Sequence, residues 1–226
     1  MTAEQSAGAG IALRTHGLPP DEIMPLSLRR LRERSPVALP PEPAASVALR
    51  MAYAAGDPDL LRDVVAPVGA VQAAQRALQQ GVAVVCDVAM VAAGVRSVVE
   101  RHGSRVFCAQ DVAGAPLSDH HISAATRDAA ATSTRTARGL LNLATHWDGA
   151  VLVIGNAPTA LLALLDALAD GAPLPAAIVA TPCGLVAAAE AKELLAGTAP
   201  APFITVRGSR GGSAVAAAAV NACALL

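Results

Sequence analysis

Gly149–Leu165, GAVLVIGNAPTALLALL, decides how the chain is read. Ala150 to Ile154 is an unbroken apolar run, as expected of a strand covered on both faces, and Gly155-Asn156 interrupts it where the backbone must turn. Pro158 then opens a helical run. Proline suits a first helical turn because the N–H it lacks would have had no partner inside the helix. The stretch is therefore strand, tight loop and helix, and the loop offers backbone N–H groups suited to a carboxylate or phosphate.

Similar units lie on both sides. Before it, Val82–Cys86 reads as a strand, followed by Asp87 and a helical VAMVAAGV that contains Met90. Arg105–Cys108 reads as a second strand, Asp111–Ile122 as an irregular loop, and Ala124–His146 as one helix containing Thr134 and Arg135. After it, Ala176–Ala180 is a strand with the loop Thr181–Gly184 and a helix Leu185–Leu195. Phe203–Val206 is a last strand, entering Arg207–Ser213 and an alanine-rich final helix. Strands alternating with helices predict an α/β fold, a mostly parallel sheet with helices on both faces.

Residues 1–20 read as a flexible leader and 21–226 as one domain with an N-terminal helical extension. In that extension Asp21–Arg34 is an amphipathic helix and Pro36–Pro43 an extended connection. Ser46–Ala55 is a second helix, with Arg50 and Tyr53 on one face, and Asp59–Gln80 a third, stopped by Gly81.

Of the 226 residues, 54% are hydrophobic and 15% charged, which fits a globular chain with a substantial core. Aromatics are 2% and the net charge is −1, so neither stacking platforms nor a basic footprint point to nucleic acid. Cys86, Cys108, Cys183 and Cys223 are widely spaced without a CxxC, so no zinc site or disulfide scaffold is expected, and all four read as buried thiols. The longest uncharged run, Gly149–Leu165, is broken by Gly-Asn-Ala-Pro and shorter than the roughly 20 residues a membrane helix needs. MTAEQSAGAG lacks the basic flank and apolar core of a signal peptide, so a cytoplasmic protein is expected.

Ligands of parallel sheets gather at the carboxyl ends of the strands, here the loops around Asp87, Asn156, Cys183 and Ser209. No GxGxxG or GxxxxGK[ST] occurs, which makes a nucleotide an unexpected occupant. In Arg207–Ser213, glycines 208, 211 and 212 allow close backbone approach, Ser213 suits a cap, and Arg207 and Arg210 suit carboxylates. A flexible polar turn is the plainer alternative, as a solvated side chain is for Arg135. Asp87 either caps a helix or holds a substrate nitrogen. His120-His121, beside Asp119, reads as a surface loop rather than a metal site, and the absence of GxSxG leaves hydrolase chemistry without an anchor.

The ordered set GVAVVCDVAMVAAGV, TRTARGLLNLATHWDGAVLVIGNAPTALLALL, TPCGLVAAAEAKELL and RGSRGGSAVAAAAVNA closely resembles the precorrin-8X methylmutase family of cobalamin biosynthesis, over roughly Arg29 to the C-terminus. The resemblance implies a cofactor-independent isomerase that moves a methyl group from C-11 to C-12 of ring C. Its substrate would be precorrin-8X or cobalt-precorrin-8, its product hydrogenobyrinate or cobyrinate. It also implies a homodimer that binds the tetrapyrrole near the subunit interface, with no metal held by the protein.

In that family a helix carries arginine, two apolar residues and a histidine thought to protonate the ring C nitrogen. Here the segment is Arg50-Met51-Ala52-Tyr53, which puts Tyr53 at the catalytic position. The resemblance gives Arg50 and Arg135 the substrate's carboxylates. Ser35, Asp87, Met90, Thr134, Asn156, Thr159, Arg207, Gly208, Arg210, Gly211 and Ser213 complete the substrate-binding set. Pro36 and Leu185 stand where the family has aromatics. Tyrosine, with a reference pKa of about 10 against about 6.5 for histidine, is the weaker donor by about 5 kcal/mol of driving force. Two readings follow: an isomerase with tyrosine as donor, or a degenerate paralogue that binds a corrinoid or its precursor without turnover.

Overall fold

A computed structural model of the chain describes residues 18–117 and 121–226. Helix α1 (Pro20–Glu33) and helix α2 (Ala44–Ala55) precede a 3-10 turn, Pro58–Arg62, and a two-residue strand β1 (Val64–Val65). Then come α3 (Val68–Gln79), β2 (Val84–Cys86), α4 (Ala89–Val99), β3 (Val106–Cys108) and the short α5 (Ala109–Val112). Helices α6 (Ala124–Ala131) and α7 (Arg135–Asn142) lead to β4 (Val151–Ile154) and α8 (Pro158–Ala169). The chain ends with β5 (Ala177–Ala180), α9 (Ala188–Thr198), β6 (Phe203–Val206) and α10 (Ser213–Leu225).

The six strands form one sheet in the order β1-β6-β5-β4-β2-β3, with β1 antiparallel to β6 and the other pairings parallel. Alternate residues of each central strand enter opposite cores. Val151 and Val153 join α2, α3, α4 and α10 on one face, and Leu152 and Ile154 join α7, α8 and α9 on the other. Burial on both faces is why β4 and β5 read as continuous apolar runs rather than as alternating ones. The N-terminal extension adds a third cluster in which Leu31 of α1 meets Leu49 and Ala52 of α2 and Leu61.

Two long helices expected from the sequence are broken. Asp59–Gln80 divides into the 3-10 turn, β1 and α3. Pro67 forces Ala66 towards extended backbone, and Val64-Val65 takes up pairing with Val206 and Thr205. Ala124–His146 divides at Thr132-Ser133-Thr134, where hydroxyls compete for main-chain bonds, and Thr134 becomes the cap of α7. The irregular loop expected from Asp111 begins with the last turn of α5, and the helix expected from Leu185 starts three residues later, at Ala188. Most of the leader, residues 1–17, and the pair Asp119-His120 lie outside the described residues.

Because β3 lies outside β2 while β4 returns to β2's other side, the chain reverses direction across the sheet between β2 and β4. In parallel sheets such a switch point opens a crevice between the following loops. Gly155, ending β4, sits in it. A Cβ there would lie 2.5 Å from Val91 Cγ2 of α4 and 2.9 Å from the Ser213 Cα of α10, so only glycine lets both helices press on the strand end.

Candidate active site

Asp87 follows β2 at the switch point and is fully buried. Its Oδ1 accepts the Gly155 N–H at 3.0 Å, and its Oδ2 accepts those of Asn156 and Ala157 at 2.7 and 2.9 Å. Burial pushes its pKa up, against the pull of these donors, which favour the carboxylate. The N–H groups read as free are thus occupied by the protein's own carboxylate. Asp87 does not cap α4, and its bonds fix the shape of the Asn156 loop. Gln110 caps α4 in its place, its Oε1 accepting the Ala89 N–H at 2.9 Å.

Around this anchor the loops form a crown at the carboxyl ends of the strands. Thr134 accepts the Ala137 N–H, and its hydroxyl lies 2.8 Å from that of Thr159, joining the N-termini of α7 and α8. Thr134, Arg135, Asn156 and Thr159 therefore stand together, with Asn156 and Arg135 exposed. Next to them, Thr181 Oγ1 donates to the Gly212 carbonyl while the Gly212 N–H donates to the Thr181 carbonyl at 2.6 Å. A Cβ on Gly211, at φ +140°, would meet that carbonyl at 2.3 Å, so this position needs glycine. The Gly184 N–H reaches the Ser209 carbonyl at 3.0 Å, tying the loop after β5 to that after β6.

Arg207 and Arg210 differ in state. Arg207 is exposed with Gly208, and no ion pair among the described residues engages it or Arg135. Arg210 is occupied. Its Nη1 donates to Asp57 Oδ2 at 2.6 Å, its Nη2 and Nε to Asp63 Oδ2, and its Nη2 also to the Asp59 carbonyl at 3.1 Å. The hydrogen bonds to Asp63 lead in holding its pKa above the ordinary arginine value. Arg210 is thus engaged by the protein's own carboxylates. Ser213 is also reassigned: buried as the first residue of α10, it makes no side-chain cap, and Gly212 holds the cap position.

Lys192 escaped the sequence reading. It is 2% exposed, its Nζ donates to the Arg210 carbonyl at 2.7 Å, and burial pulls its pKa down to about 8 against the opposing fields of Cys183 and Asp63. Its signal was positional: with Ala188, Ala191 and Leu195 it falls on the buried face of α9. Cys183, expected buried, is exposed on the crown, whereas Cys86, Cys108 and Cys223 are buried.

The Asp57–Arg210 pair brings the C-terminal end of α2 to this crown, and Tyr53 lies one helical turn before Asp57, exposed. Arg50, three residues earlier, contacts Met24 Sδ and lines a cavity of about 410 Å³ with Leu28, Arg29, Arg32, Leu49 and Leu225. That cavity opens beside the far end of α10, with Ala222, Leu225 and Leu226 in its wall. Ser35 closes the turn after α1, its hydroxyl donating to the Val37 carbonyl at 2.7 Å. Among the described residues no cluster of three or more His, Cys, Asp or Glu is placed to hold a metal ion.

The family model for precorrin-8X methylmutase matches residues 22–226, from the first turn of α1 to the end of α10. The chain belongs to the precorrin-8X methylmutase family. The precorrin-8X methylmutase of Pseudomonas aeruginosa is 41% identical over 199 residues, 88% of this chain and 91% of its own length. That of a Sinorhizobium species is 41% identical over 184 residues, 81% and 83% of the two lengths. The crystal structure of precorrin-8X methylmutase from Thermus thermophilus superposes with a TM-score of 0.74 at 29% identity, covering 90% of this chain and 96% of that one. The match therefore spans both α2, which carries Arg50 and Tyr53, and the crown of loops.

Proposed function

We propose that this chain is a methylmutase that converts precorrin-8X, or cobalt-precorrin-8, by moving a methyl group from C-11 to C-12 of ring C. The observation that supports the reading is the contact of Arg210 with Asp57, four residues after Tyr53, beside a crown on which arginines 135 and 207 are exposed and, among the described residues, form no ion pair. A tetrapyrrole with many carboxylate arms needs such guanidinium groups, which bind carboxylates through two parallel N–H donors. Arg50 would hold a further arm near the reacting ring.

In the reaction one C–C bond breaks at C-11 and one forms at C-12, so no atom is gained or lost. Tyr53 donates its O–H to the ring C nitrogen, drawing electron density from the ring as the methyl group migrates, and keeps or recovers its proton when the product forms. Asn156 and Thr159 line the crown over the Asp87 anchor, and Met90 adds an apolar wall.

The finer assignments follow the same reading. Met90, Leu185 and Val186 are 72, 94 and 83% exposed around the strand ends, an apolar rim that a second copy of the chain would cover to give a homodimer with the tetrapyrrole near the interface. No helix of the described residues is long and apolar enough to cross a membrane. We place the enzyme in the cytoplasm, acting on a water-soluble polycarboxylate. Incubating the purified protein with each substrate and following the absorption spectrum tests the reading. Spectral conversion of at least one is expected, and an unchanged spectrum with both contradicts it.

A further inference from the structure

We propose that Arg210 is a positioning residue, a clamp that sets Tyr53 against the crown of loops and so acts on the reaction through Tyr53. The proposal rests on the isomerase reading above. Exposed ion pairs add little to stability. This guanidinium, about two-fifths exposed, nevertheless gathers two carboxylates and a main-chain carbonyl from a segment some 150 positions away.

Both ends of the clamp are stiff. On the α2 side, Gly56 at φ +64° ends the helix with its N–H on the Tyr53 carbonyl at 3.1 Å, and the Asp57 N–H reaches the Ala52 carbonyl at 3.2 Å. Asp57 also accepts the Asp59 N–H at 2.9 Å, so its carboxylate has one orientation. On the crown side, Lys192 holds the Arg210 carbonyl and Thr181 holds Gly212. A displacement of the Arg210 side chain therefore passes to Tyr53 across a single helical turn. Reacting groups misplaced by about 1 Å lose rates on the order of a hundredfold, so a clamp here bears on turnover more than on folding.

The chain contains one tyrosine, so protein grown with 3-fluorotyrosine gives a single 19F resonance that reports Tyr53 alone. The experiment compares wild type, Arg210→Gln, Asp57→Asn, Arg210→Lys and, as a distant control, Arg96→Gln, which breaks the exposed Arg96–Glu100 pair. The expected result is that Arg210→Gln and Asp57→Asn move the 19F line towards the position of free 3-fluorotyrosine. Unlabelled, both lower kcat by about tenfold or more with KM within about threefold. Arg210→Lys recovers part of both effects and Arg96→Gln leaves both unchanged. In a Tyr53→Phe background Arg210→Gln should cost little more, because the residue through which it acts is gone.

A line that stays in place, a line that moves with kcat unchanged, or an equal loss in the Tyr53→Phe background overturns the proposal. Should Arg210→Gln fail to fold, Asp57→Asn, which keeps the acceptor for the Asp59 N–H but removes the charge that Arg210 grips, decides. A wild type without turnover contradicts the isomerase reading instead, and the 19F line alone then decides whether the clamp holds Tyr53.

Discussion

Asp87 and Asn156 are 69 positions apart, and the main-chain N–H of Asn156 donates to Asp87 Oδ2 at 2.7 Å inside the switch-point crevice. With the Gly155 and Ala157 bonds, this puts three charge-assisted bonds on one buried carboxylate. Asp87→Ala strands those donors, and each buried polar group left unpaired costs about 1–3 kcal/mol. We expect urea denaturation to show a loss of about 3–5 kcal/mol for Asp87→Ala. Asp87→Asn recovers less than half of it, because its amide sets a donor against a donor.

Thr134 caps α7 and meets Thr159 of α8, so one hydroxyl holds two helix starts in register beside Arg135. Thr134→Ala should cost about 1–2 kcal/mol, read as a Tm lower by roughly 3–6 °C. Thr134→Ser, which keeps the oxygen, should stay within about 1 °C of wild type.

Cys183 is the exposed thiol of the four, on the crown beside Gly212. A thiol reagent should label one cysteine rapidly in the native protein and all four in denaturant. Cys183→Ser removes the fast phase, and bound tetrapyrrole slows it by about tenfold or more. Equal labelling rates with and without substrate would place the tetrapyrrole away from this loop.

Lys192 yields a pH dependence with a definite sign. Its pKa is about 8 in the folded chain against about 10.4 unfolded, so between these values the unfolded chain binds more protons and stability rises with pH. Above the window the cost of burying the charge is gone, and below pH 8 it is paid in full. Lys192→Met lacks this titration. Between pH 7.5 and 9.5 the Tm of wild type should gain about 3 °C or more relative to Lys192→Met; parallel curves would contradict the burial assigned to the amine.

The parts of this molecule that a sequence displays are the local ones. Phe203–Val206 is a strand with the bounds expected, and Pro158 opens α8 as its missing N–H suggests. The parallel α/β sheet follows from such units in series. What was hidden is non-local. Nothing near Arg210 shows that Asp57 and Asp63 will claim it, and nothing near Gly155-Asn156 shows that Asp87 will fill the N–H groups of that loop. Two-residue β1 is equally silent, because Val64-Val65 becomes a strand only by pairing with β6. Lys192 was open to a helical-wheel reading, as a lone cation on the buried face of α9.

The most direct test of the account is the steady-state rate of methyl migration in wild type, Tyr53→Phe and Tyr53→His, followed by absorbance. If Tyr53 is the proton donor of a working isomerase, wild type turns over. Tyr53→Phe then loses about a hundredfold or more in kcat with little change in KM, and Tyr53→His is at least as fast as wild type. Tight binding without turnover in wild type, with activity appearing in Tyr53→His, would contradict the claim, as would a Tyr53→Phe variant as active as wild type.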